Sequence, residues 1–270
     1  MKSSITVLMP VYNEKKDFLK NSIESILNQS LKDFEFLIID DGSNDESCLS
    51  TLEIYAKKDP RITLIHNKQN IGLTKTLNKG LRLASGKLIA RADSDDLSHK
   101  GRLEKQLHFM QQNPDYALCG SWANIINDKD EKIGIKKFHS TYEDIRKNIL
   151  LFNFFTHSSL FFKKDTVLEL GGYDETMLKA QDYDLLLKII GRNKVANIPE
   201  FLCSHRIQND SISAQNKKRQ EWYGLIARFR AITKYGFPKA YFFKTIPSLF
   251  YFLFVPHFIE KQIFKILWKK

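Results

Sequence analysis

Cysteine is scarce in this 270-residue chain: Cys48, Cys119 and Cys203 lie far apart, form no C-x-x-C pair and cannot all pair with one another. That excludes a disulfide framework and a thiol redox motif, and it points to a reducing compartment with the thiols as small buried filler. No apolar signal segment precedes Ile5, so the body of the protein is expected to stay in the cytoplasm. G-x-x-x-x-G-K-[ST] and G-x-G-x-x-G are both missing, which sets aside nucleotide binding by a P-loop or a dinucleotide fingerprint. There is no internal repeat and no low-complexity linker. Acidic charge is nearly absent from the end: from Lys217 to Lys270, twelve Lys and Arg face only Glu221 and Glu260, which accounts for ten of the eleven net positive charges. The first 216 residues are thus almost neutral and carry no footprint of a nucleic-acid binder.

What is present begins with Ile5-Thr6-Val7-Leu8-Met9-Pro10-Val11, an apolar, β-branched run that reads as a central strand entering the loop Tyr12-Asn13-Glu14. Leu19, Ile23, Ile26 and Leu27 then share a helical face. Strands are predicted over 34–39, 62–65 and 88–92, with a helix over 74–84. After Pro114 the rhythm loosens, with a strand near 116–118, a helix over about 143–151, a strand over 158–162, the turn Gly171-Gly172-Tyr173-Asp174 and a helix over 182–190. Alternating strands and helices imply an α/β fold with a mostly parallel central sheet and helices on both faces. Residues 1–216 are read as that domain, and 217–270 as a helical, basic and aromatic extension. Parallel strands bring their carboxyl ends to one edge, where open sheets bind ligands.

The stretch Arg91-Ala92-Asp93-Ser94-Asp95-Asp96 delivers three carboxylates together at such an end. They repel one another, and a Mg²⁺ or Mn²⁺ ion between Asp93 and Asp95 would relieve the repulsion, because these cations take one or two carboxylates plus phosphate oxygens and water. The inferred ligand is a metal-bound diphosphate. A cap for a helix starting near His99 explains the same residues. At the tip of the second strand, Asp41 can accept the imide N–H of a uracil ring beside a pocket formed by Pro10 and Tyr12, while an Asx-type turn accounts for Asp40 and Gly42. Asn70 and Lys75 flank Gly72 at a helix start suited to ribose or phosphate. Asp182 can act as a general base if the fold sets its helix opposite the acidic edge, and is otherwise a cap. His157 and Arg206 read as core or rim residues.

The tail differs in kind. Nine of the twenty Phe follow Lys217, along with Trp222 and Trp268. The apolar residues 246–259, broken by Pro247 and Pro256, are too few to cross ~30 Å of hydrocarbon. Ile259, Ile263, Ile266 and Leu267 share one helical face and Lys261, Lys265 and Lys269 another, the pattern of a helix lying on an anionic membrane surface with Trp268 as an anchor. A core-packed helix or a dimer contact would give a similar pattern.

Six motifs in this order resemble those of the family 2 glycosyltransferases with the GT-A fold. They are Met9-Pro10-Val11-Tyr12-Asn13-Glu14, Asp40-Asp41-Gly42-Ser43-Asn44-Asp45, Asn70-Ile71-Gly72-Leu73-Thr74 with Leu77-Asn78-Lys79-Gly80-Leu81, Ala90-Arg91-Ala92-Asp93-Ser94-Asp95-Asp96, Gly171-Gly172-Tyr173-Asp174 and Gln181-Asp182-Tyr183-Asp184. The likeness runs from Ile5 to about Ser213. It implies an inverting transfer of one sugar from a nucleotide-diphosphate sugar, most often a UDP-sugar. By the resemblance, Asp41 reads the uracil, Asp93 contacts ribose and a metal-bound water, Asp95 ligates Mn²⁺ or Mg²⁺ with Asp96 as a further candidate, and Asp182 deprotonates the acceptor. Three positions depart from the pattern: Gln181 stands where relatives have Glu, Leu77 where several have a phosphate-contacting Arg, which leaves Lys75 as the substitute, and Arg206-Ile207-Gln208 where many read Arg-x-His. The absence of Q-x-x-R-W and of a spanning helix argues against processive synthases. With the tail, the expectation is a peripheral enzyme on the inner face of the cell membrane that acts on a membrane-linked glycan such as lipopolysaccharide or lipooligosaccharide. The alternatives are a sugar nucleotidyltransferase and a non-catalytic, membrane-associated sugar-nucleotide-binding subunit.

Overall fold

The structure, a computed structural model, describes residues 4–207 and 217–254. The chain opens with β1 (Ile5–Val11), α1 (Lys16–Leu27), β2 (Glu35–Asp40), α2 (Glu46–Lys58), β3 (Ile62–His66), α3 (Leu73–Leu83) and β4 (Leu88–Arg91). It continues through β5 (Leu97–Ser98), α4 (Arg102–Gln112), β6 (Tyr116–Ile126), β7 (Lys132–Lys136), α5 (Tyr142–Asn148), β8 (Phe161–Lys163), α6 (Lys164–Glu169), α7 (Gln181–Arg192) and β9 (Lys194–Arg206). Last come α8 (Lys217–Lys234), a 3₁₀ segment (Lys239–Thr245) and α9 (Ile246–Phe254).

Strand alternation explains the layers. Ile5, Val7 and Met9 of β1 face a core shared with α1, α2 and α4, whereas Leu8 faces one shared with α3, α5, α7 and α8. The described strands form one sheet in the order β3-β2-β1-β4-β8-β6-β9-β5, with β7 on the edge of β6. β1 to β4 are mutually parallel where they pair, so the loops after them meet at one edge. β8 then enters antiparallel to both β4 and β6, and β6 pairs in parallel with β9.

Several local expectations change. The strand predicted over 158–162 starts only at Phe161, because His157–Ser159 forms a 3₁₀ turn in which the Ser159 hydroxyl donates to the Thr156 carbonyl at 2.8 Å. The helix predicted over 143–151 is α5, which begins one residue after its cap, Thr141, and ends at Asn148. β9 had no sequence prediction: Pro199 and Glu200 interrupt its apolar run, and the register against β6 shifts at Ser121, Trp122 and Ala123 to absorb them. Cys48, Cys119 and Cys203 are free and buried.

α8 lies on α7. Ala227, Ala231 and Phe237 are buried in the core that holds Leu185 and Leu186, and the Arg228 Nε donates to the Leu150 carbonyl at 2.8 Å. A Cβ on Gly191 would lie 1.8 Å from the Tyr235 carbonyl oxygen, so only glycine lets the two segments approach this closely. Gly191→Ala is therefore expected to cost about 1–3 kcal/mol, read as a lowered midpoint in urea with an unchanged slope. Among the described residues no helix is long and apolar enough to cross a membrane. The amphipathic helix predicted over 259–269, with Trp268, lies outside the described residues.

Candidate active site

The loops after β1 and β2 are tied together by Asn13, which adopts a left-handed backbone (φ 48°). Its Oδ1 accepts the N–H groups of Asn44 and Asp45, and its own N–H donates to the Ser43 hydroxyl. Asp40 is the turn-forming acid: Oδ1 accepts the Ser43 N–H at 3.0 Å, and Oδ2 lies 2.8 Å from the His66 Nδ1. Asp45 caps α2 through the Cys48 N–H.

Asp41 does a different job. Its buried carboxylate accepts the Asn67 side-chain amide at 2.7 Å and the Ile71 and Gly72 N–H groups at 3.0 and 2.9 Å. This draws the loop carrying Asn70 onto the tip of β2. A Cβ on Gly42 (φ +75°) would sit 2.4 Å from the Gln69 carbonyl carbon, so glycine is required there twice over. Three donors leave one lone-pair site on the carboxylate for a ligand. Pro10 is buried in β1, while Tyr12, Asn70 and Lys75 are exposed around this tip. Leu77 is fully buried in the core and cannot contact a phosphate.

The acidic stretch after β4 is neutralised largely by the protein itself. Arg91, fully buried, ion-pairs with Asp93, and its Nε has no hydrogen-bond partner. Asp96 is buried and satisfied. It accepts the Ser158 hydroxyl, the Arg206 N–H at 2.8 Å and a contact from the His205 Nδ1 at 3.2 Å. Burial opposes its charge, but His205, Ser158 and Arg206 prevail and hold its pKa at about 2. Asp96 is thus anchored to β9 and the 3₁₀ turn by three donors on its carboxylate. Asp93 and Asp95 are both half-buried at the sheet edge. The Asp93 carbonyl accepts the Ser22 hydroxyl at 2.7 Å, and the Asp95 carbonyl accepts the Arg206 Nε at 2.9 Å, so both backbones are pinned from opposite sides.

Asp182 lies in the first turn of α7 but does not cap it. The cap position is Ala180, in a left-handed backbone (φ 53°) with no side-chain hydrogen bond. Burial raises the Asp182 pKa, and the Tyr183 N–H and the charge of Arg91 counter this only in part, while Asp93 is close enough to push it higher still. The same cluster holds Tyr173, whose hydroxyl lies 2.9 Å from the His157 Nε2. Burial keeps that histidine neutral, and Arg91 adds to the effect. Glu14 completes the rim: its pKa is raised by burial, it accepts the Ser94 hydroxyl at 2.9 Å and it senses Asp93.

The fold thus brings Asp93, Asp182 and Arg91 into one electrostatic neighbourhood, with Asp41, Asn70 and Lys75 around the neighbouring strand tip. Sequence reasoning gave no role to Arg91, Tyr173 or Glu14. Arg91 carried a usable signal, because it stands two residues before Asp93 and so shares its side of an extended strand.

The description "Glycosyl transferase family 2" fits residues 6–167. The chain belongs to this family. It is 34% identical, over all of its length and 95% of the relative's, to an uncharacterised glycosyltransferase of Methanocaldococcus jannaschii. It is 36% identical to the O-antigen biosynthesis glycosyltransferase WbnJ of Escherichia coli, covering 77% of this chain and 81% of that one. The amylovoran biosynthesis glycosyltransferase AmsE of Erwinia amylovora is 32% identical, over 80% of each chain. Among solved structures, Staphylococcus aureus TarS residues 1–349 with UDP-GlcNAc superposes at TM-score 0.70 and 16% identity, covering 96% of this chain and 77% of that one. A mannosyltransferase of Pyrobaculum calidifontis with GDP-Man and Mn²⁺ superposes at 0.69 and 17%, covering 94% and 71%. The fold is that of the GT-A glycosyltransferases, and the protein is a family 2 glycosyltransferase.

Proposed function

We propose that this glycosyltransferase moves one sugar, with inversion and with a divalent metal, from a UDP-sugar to a hydroxyl of a membrane-linked surface glycan such as lipopolysaccharide or lipooligosaccharide. The observation that carries the chemistry is Asp182: a carboxylate of raised pKa at a helix start, within reach of the charges of Asp93 and Arg91. A general base works best when its pKa approaches the working pH, and burial moves Asp182 in that direction. In the proposed step the acceptor oxygen attacks the anomeric carbon, the bond to the diphosphate oxygen breaks, the electron pair leaves with the diphosphate and the acceptor proton passes to Asp182. A single displacement of this kind inverts the carbon and needs one base. Retention would call for a second, nucleophilic carboxylate.

The donor would lie with its uracil against Tyr12 above Pro10, its imide N–H on the remaining lone pair of Asp41, and Asn70 and Lys75 beside its ribose and phosphates. Asp93 and Asp95 suit a Mg²⁺ or Mn²⁺ ion, which would stabilise the charge gathering on the leaving diphosphate. Such a cation would take its other ligands from phosphate and water. Arg91, which ion-pairs with Asp93, would share that carboxylate with the cation.

The acceptor class is supported by WbnJ and AmsE, whose names assign them to O-antigen and amylovoran biosynthesis. The basic, aromatic residues 217–270 support work at the anionic inner surface of the cell membrane. Thermal stabilisation by a panel of UDP-sugars, with and without Mn²⁺, tests the donor and the metal together. The true donor, at a hundredfold excess over its Kd, should stabilise the protein by about 2.7 kcal/mol. No shift with any UDP-sugar would defeat the donor assignment. Metal-dependent release of UDP without acceptor would exclude a purely binding subunit.

A further inference from the structure

Residues 239–254 form a 3₁₀ segment running directly into α9, and from Phe242 to Phe250 the burial is inverted relative to an ordinary surface helix. The less exposed positions are Tyr241, Lys244, Thr245, Ser248 and Phe252, of which three carry a hydroxyl and one a charge. From Phe242 to Phe250 the exposed positions are Phe242, Phe243, Ile246, Pro247, Leu249 and Phe250, all apolar. Phe243 is 73% exposed and Phe250 60%. Apolar residues recurring at this spacing mark the buried face of a helix, yet here that face meets solvent.

We infer that this outward face inserts into an anionic lipid bilayer, resting on the reading of the protein as a glycosyltransferase of membrane-linked acceptors. Charge chooses the occupant. Between residues 217 and 254 eight Lys and Arg stand against the single Glu221, with Lys234 and Lys239 exposed close to the face in the chain. A second copy of the chain would set these like charges against one another, whereas phosphatidylglycerol headgroups would neutralise them. An apolar face with basic flanks is the arrangement of helices that lie in the membrane interface.

This face is joined to the catalytic domain by a chain of packing contacts. α8, on which α9 packs through the Trp222–Phe252 pair at 5.6 Å, is locked to α7 by the close approach at Gly191 and by the Tyr235 hydroxyl, which donates to Asp184 at 3.0 Å. α7 carries Asp182 at its start. Insertion therefore sets the height of Asp182 above the lipid, so that the enzyme meets acceptor hydroxyls near the membrane surface.

The test uses the full chain with vesicles of phosphatidylcholine alone or mixed with phosphatidylglycerol. Wild type should co-sediment with the mixed vesicles. The double variant Phe243→Ser/Phe250→Ser should bind them at least about tenfold more weakly, since each ring withdraws apolar area from the lipid. Lys234→Gln/Lys239→Gln should weaken binding to mixed vesicles and leave the weak binding to phosphatidylcholine unchanged. Unaltered vesicle binding by the Phe variant would overturn the inference. So would a fall from dimer to monomer on sedimentation without vesicles, which would give the face to a second copy. Thermal stabilisation by nucleotide sugar, measured on the same variants, should match wild type. It reports separately on the donor site, so either result can fail without the other.

Discussion

Asp182→Asn is expected to lower turnover by about 10²- to 10⁴-fold while leaving the affinity for donor within a factor of a few. The amide keeps the size and shape of the carboxylate but cannot take a proton. Its helix should be undisturbed, because Ala180 and not Asp182 occupies the cap position of α7. The pH profile provides a second readout. Burial raises the Asp182 pKa, so the acid limb of kcat should lie above the ordinary carboxylate range, with rate rising as pH climbs through the raised value and the base becomes charged. The limb should vanish in the Asn variant. Wild-type turnover in Asp182→Asn, or an acid limb that survives the substitution, would remove this residue from the chemistry.

The second large effect is on stability. Asp96→Ala should destabilise the protein by about 3–5 kcal/mol at neutral pH, because it removes the buried carboxylate on which Ser158, His205 and the Arg206 N–H converge. Those partners come from two distant segments: Ser158 in the 3₁₀ turn, and His205 with the Arg206 N–H on β9. The sign with pH follows from the depressed pKa. The folded carboxyl ionises at about 2, below the ~3.9 of an unfolded chain, so its contribution is present above about pH 4 and is lost as pH falls through 2. Denaturant midpoints of wild type and variant should therefore differ widely at neutral pH and draw together in strong acid. A gap of the same size at both would mean that Asp96 acts by packing alone.

Much of the candidate site could be read in advance because its local chemistry is written in short segments. An apolar run ending in Asp and Gly is a strand followed by a turn, and Asp40 and Asp45 hold their turn and cap through hydrogen bonds spanning three residues. What could not be read was the division of labour among neighbouring acids. Asp93, Asp95 and Asp96 are nearly equivalent in sequence, yet Arg91 pairs with the first while the third is bound by β9, more than a hundred residues later in the chain. Asp41 likewise turned out to anchor the 67–72 loop, through N–H groups about thirty residues away.

Residue type and periodicity alone determined the layered α/β body and the collection of acids at the carboxyl ends of its first strands, because pleat and helix repeat are local properties. Tertiary structure decided which carboxylate is ion-paired, which anchors a distant strand and which keeps a raised pKa, since each outcome depends on burial and on partners brought from distant segments. It also decided that an apolar stripe near the end of the chain faces outward, for a periodic pattern specifies a face but not what lies against it.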